Sequence, residues 1–123
     1  MTRFMTDLVA CLSSGKGTWG HVMHLIEEHM FEKVFLITDD FGKQGFSKYN
    51  KNAELILVDF NKGMDDLVQD IVAQLKDKIS GTEIGLNLAS GSGKEHMAIM
   101  SAVMRLGVGF RLVAVTKDGV KEV

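Results

Sequence analysis

A chain of 123 residues, 46% hydrophobic and 24% charged, has the make-up of a single globular domain and is long enough to bury a core without disulfides or metal. Its formal net charge of -2 excludes a general nucleic-acid binder, whose affinity comes from neutralising many phosphates, and leaves room for a small local anion site. No apolar run approaches membrane-spanning length, and Met1-Thr2-Arg3-Phe4-Met5-Thr6-Asp7 has neither an apolar leader core nor a cleavage site, so a cytoplasmic protein without a membrane partner is expected.

Asp7-Leu8-Val9-Ala10-Cys11-Leu12 is a continuous apolar run, the pattern of a strand buried on both faces, and its cysteine is expected as an inert buried thiol. The loop Ser13-Ser14-Gly15-Lys16-Gly17-Thr18 ends it. Over residues 19–32, Val22, Leu25 and Ile26 recur at helical spacing with Glu27, Glu28 and Glu32 elsewhere. Lys33-Val34-Phe35-Leu36-Ile37-Thr38 is a second buried strand, stopped by Asp39-Asp40. The polar stretch 41–52, with Lys43, Lys48, Tyr49 and Lys51, suits a solvated loop, a lid over a polyanion, or a short irregular helix.

Residues 53–60 form a third strand, and 64–79 a helix with Leu67, Ile71, Val72 and Leu75 on one face, stopped at Ser80-Gly81. Glu83-Ile84-Gly85-Leu86-Asn87-Leu88 is a fourth strand; Ser90-Gly91-Ser92-Gly93-Lys94 then opens a helix over 94–106 that Gly107 closes. Residues 109–116 make a fifth strand, and the Asp118-Gly119 turn returns a last short one.

Strands alternating with helices predict an α/β fold: one domain over 1–123, a Rossmann-like three-layer sandwich whose sheet has five to six mostly parallel strands. In the order 3-2-1-4-5, strands one and four are neighbours whose connections leave in opposite directions, and ligands bind at such a switch point. The two Gly/Ser loops follow these two strands, so the topology brings them together.

Three nucleotide motifs compete for these loops. The P-loop pattern fails, because Glu95 follows Lys94 where a hydroxyl residue is required and the upstream glycine is missing from both loops. Gly15-Lys16-Gly17-Thr18-Trp19-Gly20 matches the dinucleotide fingerprint, with Asp39 or Asp40 where a ribose-binding acid belongs. Against it stand the longer turn made by Ser13-Ser14, bulky Trp19 just inside the helix, and the lack of length for a substrate domain.

Leu12-Ser13-Ser14-Gly15-Lys16-Gly17 and Ser90-Gly91-Ser92-Gly93-Lys94, in that order in a frame covering nearly the whole chain, resemble the CARF family, the CRISPR-associated Rossmann fold. The resemblance implies a homodimer that binds a cyclic oligoadenylate second messenger across its twofold axis, without metal or cofactor. Some stand-alone members are ring nucleases in which a ribose 2′-OH attacks the adjacent phosphate. By that likeness Ser13 or Ser14 positions the phosphate and Lys94 stabilises the developing charge. Gly15, Lys16, Gly17, Thr18, Asp39, Ser90, Gly91, Ser92, Gly93 and His96 are then the ligand-binding candidates. The family's commoner loop ending is Gly-Gly-Thr-Lys; here it is Gly-Ser-Gly-Lys.

Plainer readings stand beside these. Gly and Ser also serve tight strand-to-helix turns, and a non-enzymatic partner-binding subunit fits the same loops. His21, His24 and Glu28 share a helix face but name no complete ligand set, so no metal site is expected. Met97, Ile99, Met100, Val103, Met104 and Leu106 make the helix 94–106 apolar around most of its circumference, which predicts a homodimer contact beside the ligand or a well-covered core helix. Trp19 is expected to pack at the helix start, with adenine stacking as its other use.

Overall fold

The computed structural model describes residues 6–13, 16–49 and 52–123. Among them the chain forms β1 (Asp7–Leu12), a 3-10 turn (Lys16–Thr18), α1 (Trp19–Glu27), β2 (Val34–Thr38), α2 (Asp40–Phe46), β3 (Glu54–Leu57), α3 (Met64–Leu75), β4 (Glu83–Asn87), α4 (Gly93–Arg105), β5 (Gly109–Thr116) and β6 (Gly119–Glu122). The result is an α/β domain whose six-stranded sheet has the order β3-β2-β1-β4-β5-β6. All pairings are parallel except β5 with β6, where the expected Asp118-Gly119 turn folds the chain back antiparallel.

Every residue of β1 is buried, as its unbroken apolar run requires of a central strand covered on both faces. Side chains alternate across it. Val9 and Cys11 join Phe35, Ile37, Leu67, Ile71, Ile99 and Val103 under α3 and α4. Leu8, Ala10 and Leu12 join Trp19, Val22, Leu25, Leu36 and Phe46 under α1 and α2. The two cores are the two sides of one sheet, and the helices form the outer layers.

The polar stretch after β2 holds a short helix. Asp39 caps α2 by accepting the Gly42 amide at 2.9 Å, and Phe46 turns inward. Two glycines let this helix lie close. Gly42 sits on the Thr38 hydroxyl, and a Cβ at Gly45 would collide with the edge of the six-membered ring of Trp19. Of the three readings of 41–52, the short helix holds for its first half, which the cap and these two close approaches make part of the core layer. β3, α1 and α3 are each shorter than the apolar pattern suggests, because the ends of the runs lie in turns. Lys51 lies outside the described residues.

Gly45→Ala should cost about 1–3 kcal/mol, the usual penalty for overpacking against a ring that cannot move aside. Chemical denaturation followed by Trp19 emission measures it, and an unchanged midpoint would show that α2 does not depend on this contact.

Candidate functional site

β1 and β4 run parallel side by side, with Ala10 opposite Asn87, so the segments leaving them start together at the carboxyl edge of the sheet. There the Ser13 amide donates to Ser90 Oγ at 3.0 Å, and both serines are buried. The two Gly/Ser segments are therefore in direct contact. Trp19 Nε1 donates to the Ser13 carbonyl at 2.8 Å, so the indole is committed to holding this segment, buried, and does not present its face. The exposed Phe41 ring meets it edge-on, 6.1 Å between centroids.

Gly91 shows why the second loop needs glycine. Its φ is +99°, and a side chain there would press on Cys11 Sγ, Glu95 Oε1 and His96 Nε2. Beyond it Ser92 caps α4 through a capping box: its amide donates to Glu95 Oε1 at 3.1 Å and its hydroxyl to Oε2 at 2.6 Å. Burial raises the Glu95 carboxyl, but hydrogen bonds from the Ser92 and Ser13 hydroxyls and the Ser92 amide, with His96 nearby, more than offset it and hold the group below its ordinary value. His96 Nε2 donates to the Ser90 carbonyl at 2.8 Å, fixing the loop from the other side. Burial, with Glu95 and Asp39 nearby, pushes the Cys11 thiol up to about 12, so it is a packing group and no nucleophile.

Several sequence candidates hold other posts. Lys94 turns its ammonium to the carbonyls of Phe60 and Lys62, at 2.9 and 2.7 Å, and so ties the segment before α3 to the start of α4. Asp39 spends one carboxylate oxygen on the α2 cap. Thr18 is the residue before α1, and Gly17 is exposed in the 3-10 turn. A Cβ on Gly20 would meet nothing, so the third glycine of the dinucleotide fingerprint performs no helix-to-strand packing here. Ser14, Gly15 and the Lys16 side chain lie outside the described residues. The helix face of His24 and Glu28 is a surface pair at 3.0 Å, and His21 turns away from it.

Two site-building residues escape sequence reasoning. Asn87, buried at the end of β4, donates from Nδ2 to the Val113 carbonyl at 2.8 Å and to His21 Nε2 at 3.0 Å, and accepts from the Ala89 amide through Oδ1 at 3.2 Å. His21 Nε2 also accepts from the Val115 amide at 3.3 Å. Two donors on one lone pair require a neutral ring with its proton on Nδ1. No spacing motif announces either residue, since their partners are brought together only by the sheet order. Glu95 did carry a signal, the Ser92-x-x-Glu95 capping pattern.

Gly93 and Lys94 open α4, so their amides precede the first intrahelical acceptor and point out of the helix end beside the serines. From the same end runs a stripe of Met97, Met100 and Met104, with Met97 63% and Met104 66% exposed, lining an open groove with His96 and Ser101. Among the described residues no helix is long and apolar enough to cross a membrane. No protein-family model matches this chain, and no curated protein matches its sequence.

Ser90→Ala should cost about 1–3 kcal/mol, because the buried Ser13 amide loses its acceptor; urea unfolding measures it, and a neutral result would deny that this bond joins the loops. The His21 ring, held below its ordinary value by burial and by His24, gives a pH signature. Its folded form resists protonation, so stability should fall as pH drops below about 6.5, where the unfolded chain takes up the proton first. Thermal melts from pH 8 to 5 should show this decline, reduced in His21→Gln. Glu95 adds a separate loss as pH falls below its ordinary value of 4.5, where the unfolded carboxyl is protonated first.

Proposed function

We propose that this chain binds a cyclic oligoadenylate at the joined Ser13 and Ser90 segments, as a homodimer with one such cleft from each copy. The observation that carries the reading is the buried bond from the Ser13 amide to Ser90 Oγ, which unites the two loops on which the likeness to the CARF family rests. The β3-β2-β1-β4-β5-β6 order, with helices on both faces, accords with the Rossmann-like sandwich which that likeness implies. The position of the methionine stripe supports the dimer. It starts one turn from the loop, so a second copy packed on Met97, Met100 and Met104 sets its own cleft close by.

Phosphate recognition falls mainly to the backbone. The hydroxyl protons of Ser92 and Ser13 go to Glu95, leaving the amides of Gly93 and Lys94 and the positive end of α4 to face an anion. Binding is the better-supported half of the reading. Ring cleavage asks for Ser13 or Ser14 and for Lys94; Ser13 is engaged with Glu95 and Lys94 with the Phe60 and Lys62 carbonyls, while Ser14 lies outside the described residues. In-line attack by a ribose hydroxyl needs chiefly positioning, so cleavage remains a measurable second step of the same site.

Thermal unfolding with cyclic tetra-adenylate, cyclic hexa-adenylate and NAD tests the proposal. One of the rings should raise Tm by several degrees, since saturation at a hundred times Kd adds about 2.7 kcal/mol, while NAD leaves it unchanged. Sedimentation should give twice the 13.6 kDa chain mass, reduced to one by Met97→Glu with Met104→Glu. Stabilisation by NAD alone, or a monomer indifferent to both rings, would overturn the reading. Labelled ring incubated in chelator, with Lys94→Ala as comparison, reports cleavage.

A further inference from the structure

Two links join the Ser13 and Ser90 segments, and they differ in their response to a proton. The bond from the Ser13 amide to Ser90 Oγ involves no titratable group. The other link runs from α1 through His21 to Asn87 and on to Ala89, the residue before Ser90. α1 also carries Trp19, which holds the Ser13 carbonyl, so the first turn of this helix grips both segments at once.

The second link works only with a neutral imidazole. His21 Nε2 accepts from Asn87 Nδ2 at 3.0 Å and from the Val115 amide at 3.3 Å. The Asn87 amide cannot turn over to offer its oxygen, because Nδ2 also donates to the Val113 carbonyl at 2.8 Å and Oδ1 accepts the Ala89 amide at 3.2 Å. A proton on Nε2 would therefore meet two donors and no acceptor, and the ring would have to leave its place. His96, on the other side of the Ser90 segment, donates to the Ser90 carbonyl through Nε2, a bond that an imidazolium keeps.

Nothing packed around His21 favours a positive ring. The titratable group that bears on it is His24 of its own helix, itself paired with Glu28. β1 turns Leu8, Ala10 and Leu12 toward α1, and β5 turns Val113 and Val115. Arg111, on the same face of β5, is engaged with Glu83 and Glu122. The Lys16 side chain, from the turn before α1, lies outside the described residues. Among the described residues no carboxylate is hydrogen-bonded to His21 to hold an imidazolium where the neutral ring sits.

We propose that His21 is a positioning residue and a proton-sensitive clamp: its neutral ring fixes α1 to the Ala89-Ser90 segment, and its protonation loosens the cleft and weakens anion binding without unfolding the domain. The effect on binding rests on the reading of this cleft as the ligand site; the movement of Ala89 does not. By linkage, a ligand that favours the closed cleft lowers the proton affinity of His21 by the same factor.

Nuclear magnetic resonance of the free chain from pH 8 to 5 tests the clamp directly. The Ala89 amide should shift with the same midpoint as the His21 ring, and His21→Gln, whose side-chain oxygen accepts without titrating, should remove the shift. An Ala89 amide that ignores the His21 titration overturns the proposal, a comparison that needs only the wild-type chain if the variant fails to fold. Titration calorimetry with cyclic tetra-adenylate and cyclic hexa-adenylate over the same range reads the effect on the site. Kd for the ring that binds should rise by up to about tenfold per pH unit below the His21 midpoint, the limit for one displaced proton, with far-UV circular dichroism unchanged. A Kd that stays flat overturns the proposal and leaves the ligand reading intact. Neither ring binding at any pH, with Ala89 still following His21, overturns the ligand reading and supports the clamp.

Discussion

Everything at the carboxyl edge of this sheet hangs on one buried hydrogen bond, from the Ser13 main chain to the Ser90 side chain. The strands beneath it fix their own positions by ladder bonds and burial, but the segments leaving them diverge to opposite faces, and nothing in parallel pairing obliges them to stay in contact. A serine oxygen buried at the divergence point does so. Around it the supporting contacts come from three elements: Trp19 from α1, Glu95 and His96 from α4, and Asn87 from the end of β4. Ser13 and the start of α4 are thus fixed to one another through Ser90.

Glu95 gives the site an unusual electrostatic character. A carboxylate lies among groups suited to an anion, held in its charged form by the same hydroxyls that an anion would otherwise use. The positive end of α4 is then partly answered from within the protein, and the outward amides of Gly93 and Lys94 supply what remains. Such balance favours a ligand that spreads its charge over several contacts above a single tightly gripped phosphate.

The layered architecture was largely legible in the residues. An unbroken apolar β1, helical spacing in α3 and the glycine punctuation at Gly107 and Gly119 each act locally, and local signals survive into the fold. Strand order followed from the handedness of parallel connections, and with it the meeting of the two loops. Less legible were features that depend on who the neighbours are. Lys94 looks like a phosphate ligand beside Gly93, yet two carbonyls from the end of another strand's connection lie within its reach and take the ammonium. His21 looks like half of a metal pair with His24, yet Asn87 and Val115 supply donors that the helix period cannot foresee. α2 was legible only as one of three readings of residues 41–52, because Lys43 and Gln44 make it polar while its packing rests on Phe46 and on glycines set against Thr38 and Trp19.

The methionines of α4 carry a consequence beyond contact area. Met97 and Met104 expose most of their thioethers, and peroxide converts such groups to polar sulfoxides that methionine sulfoxide reductases restore. An apolar stripe built from sulfur rather than from leucine can thus turn polar under oxidative stress and apolar again afterwards, without any change of sequence.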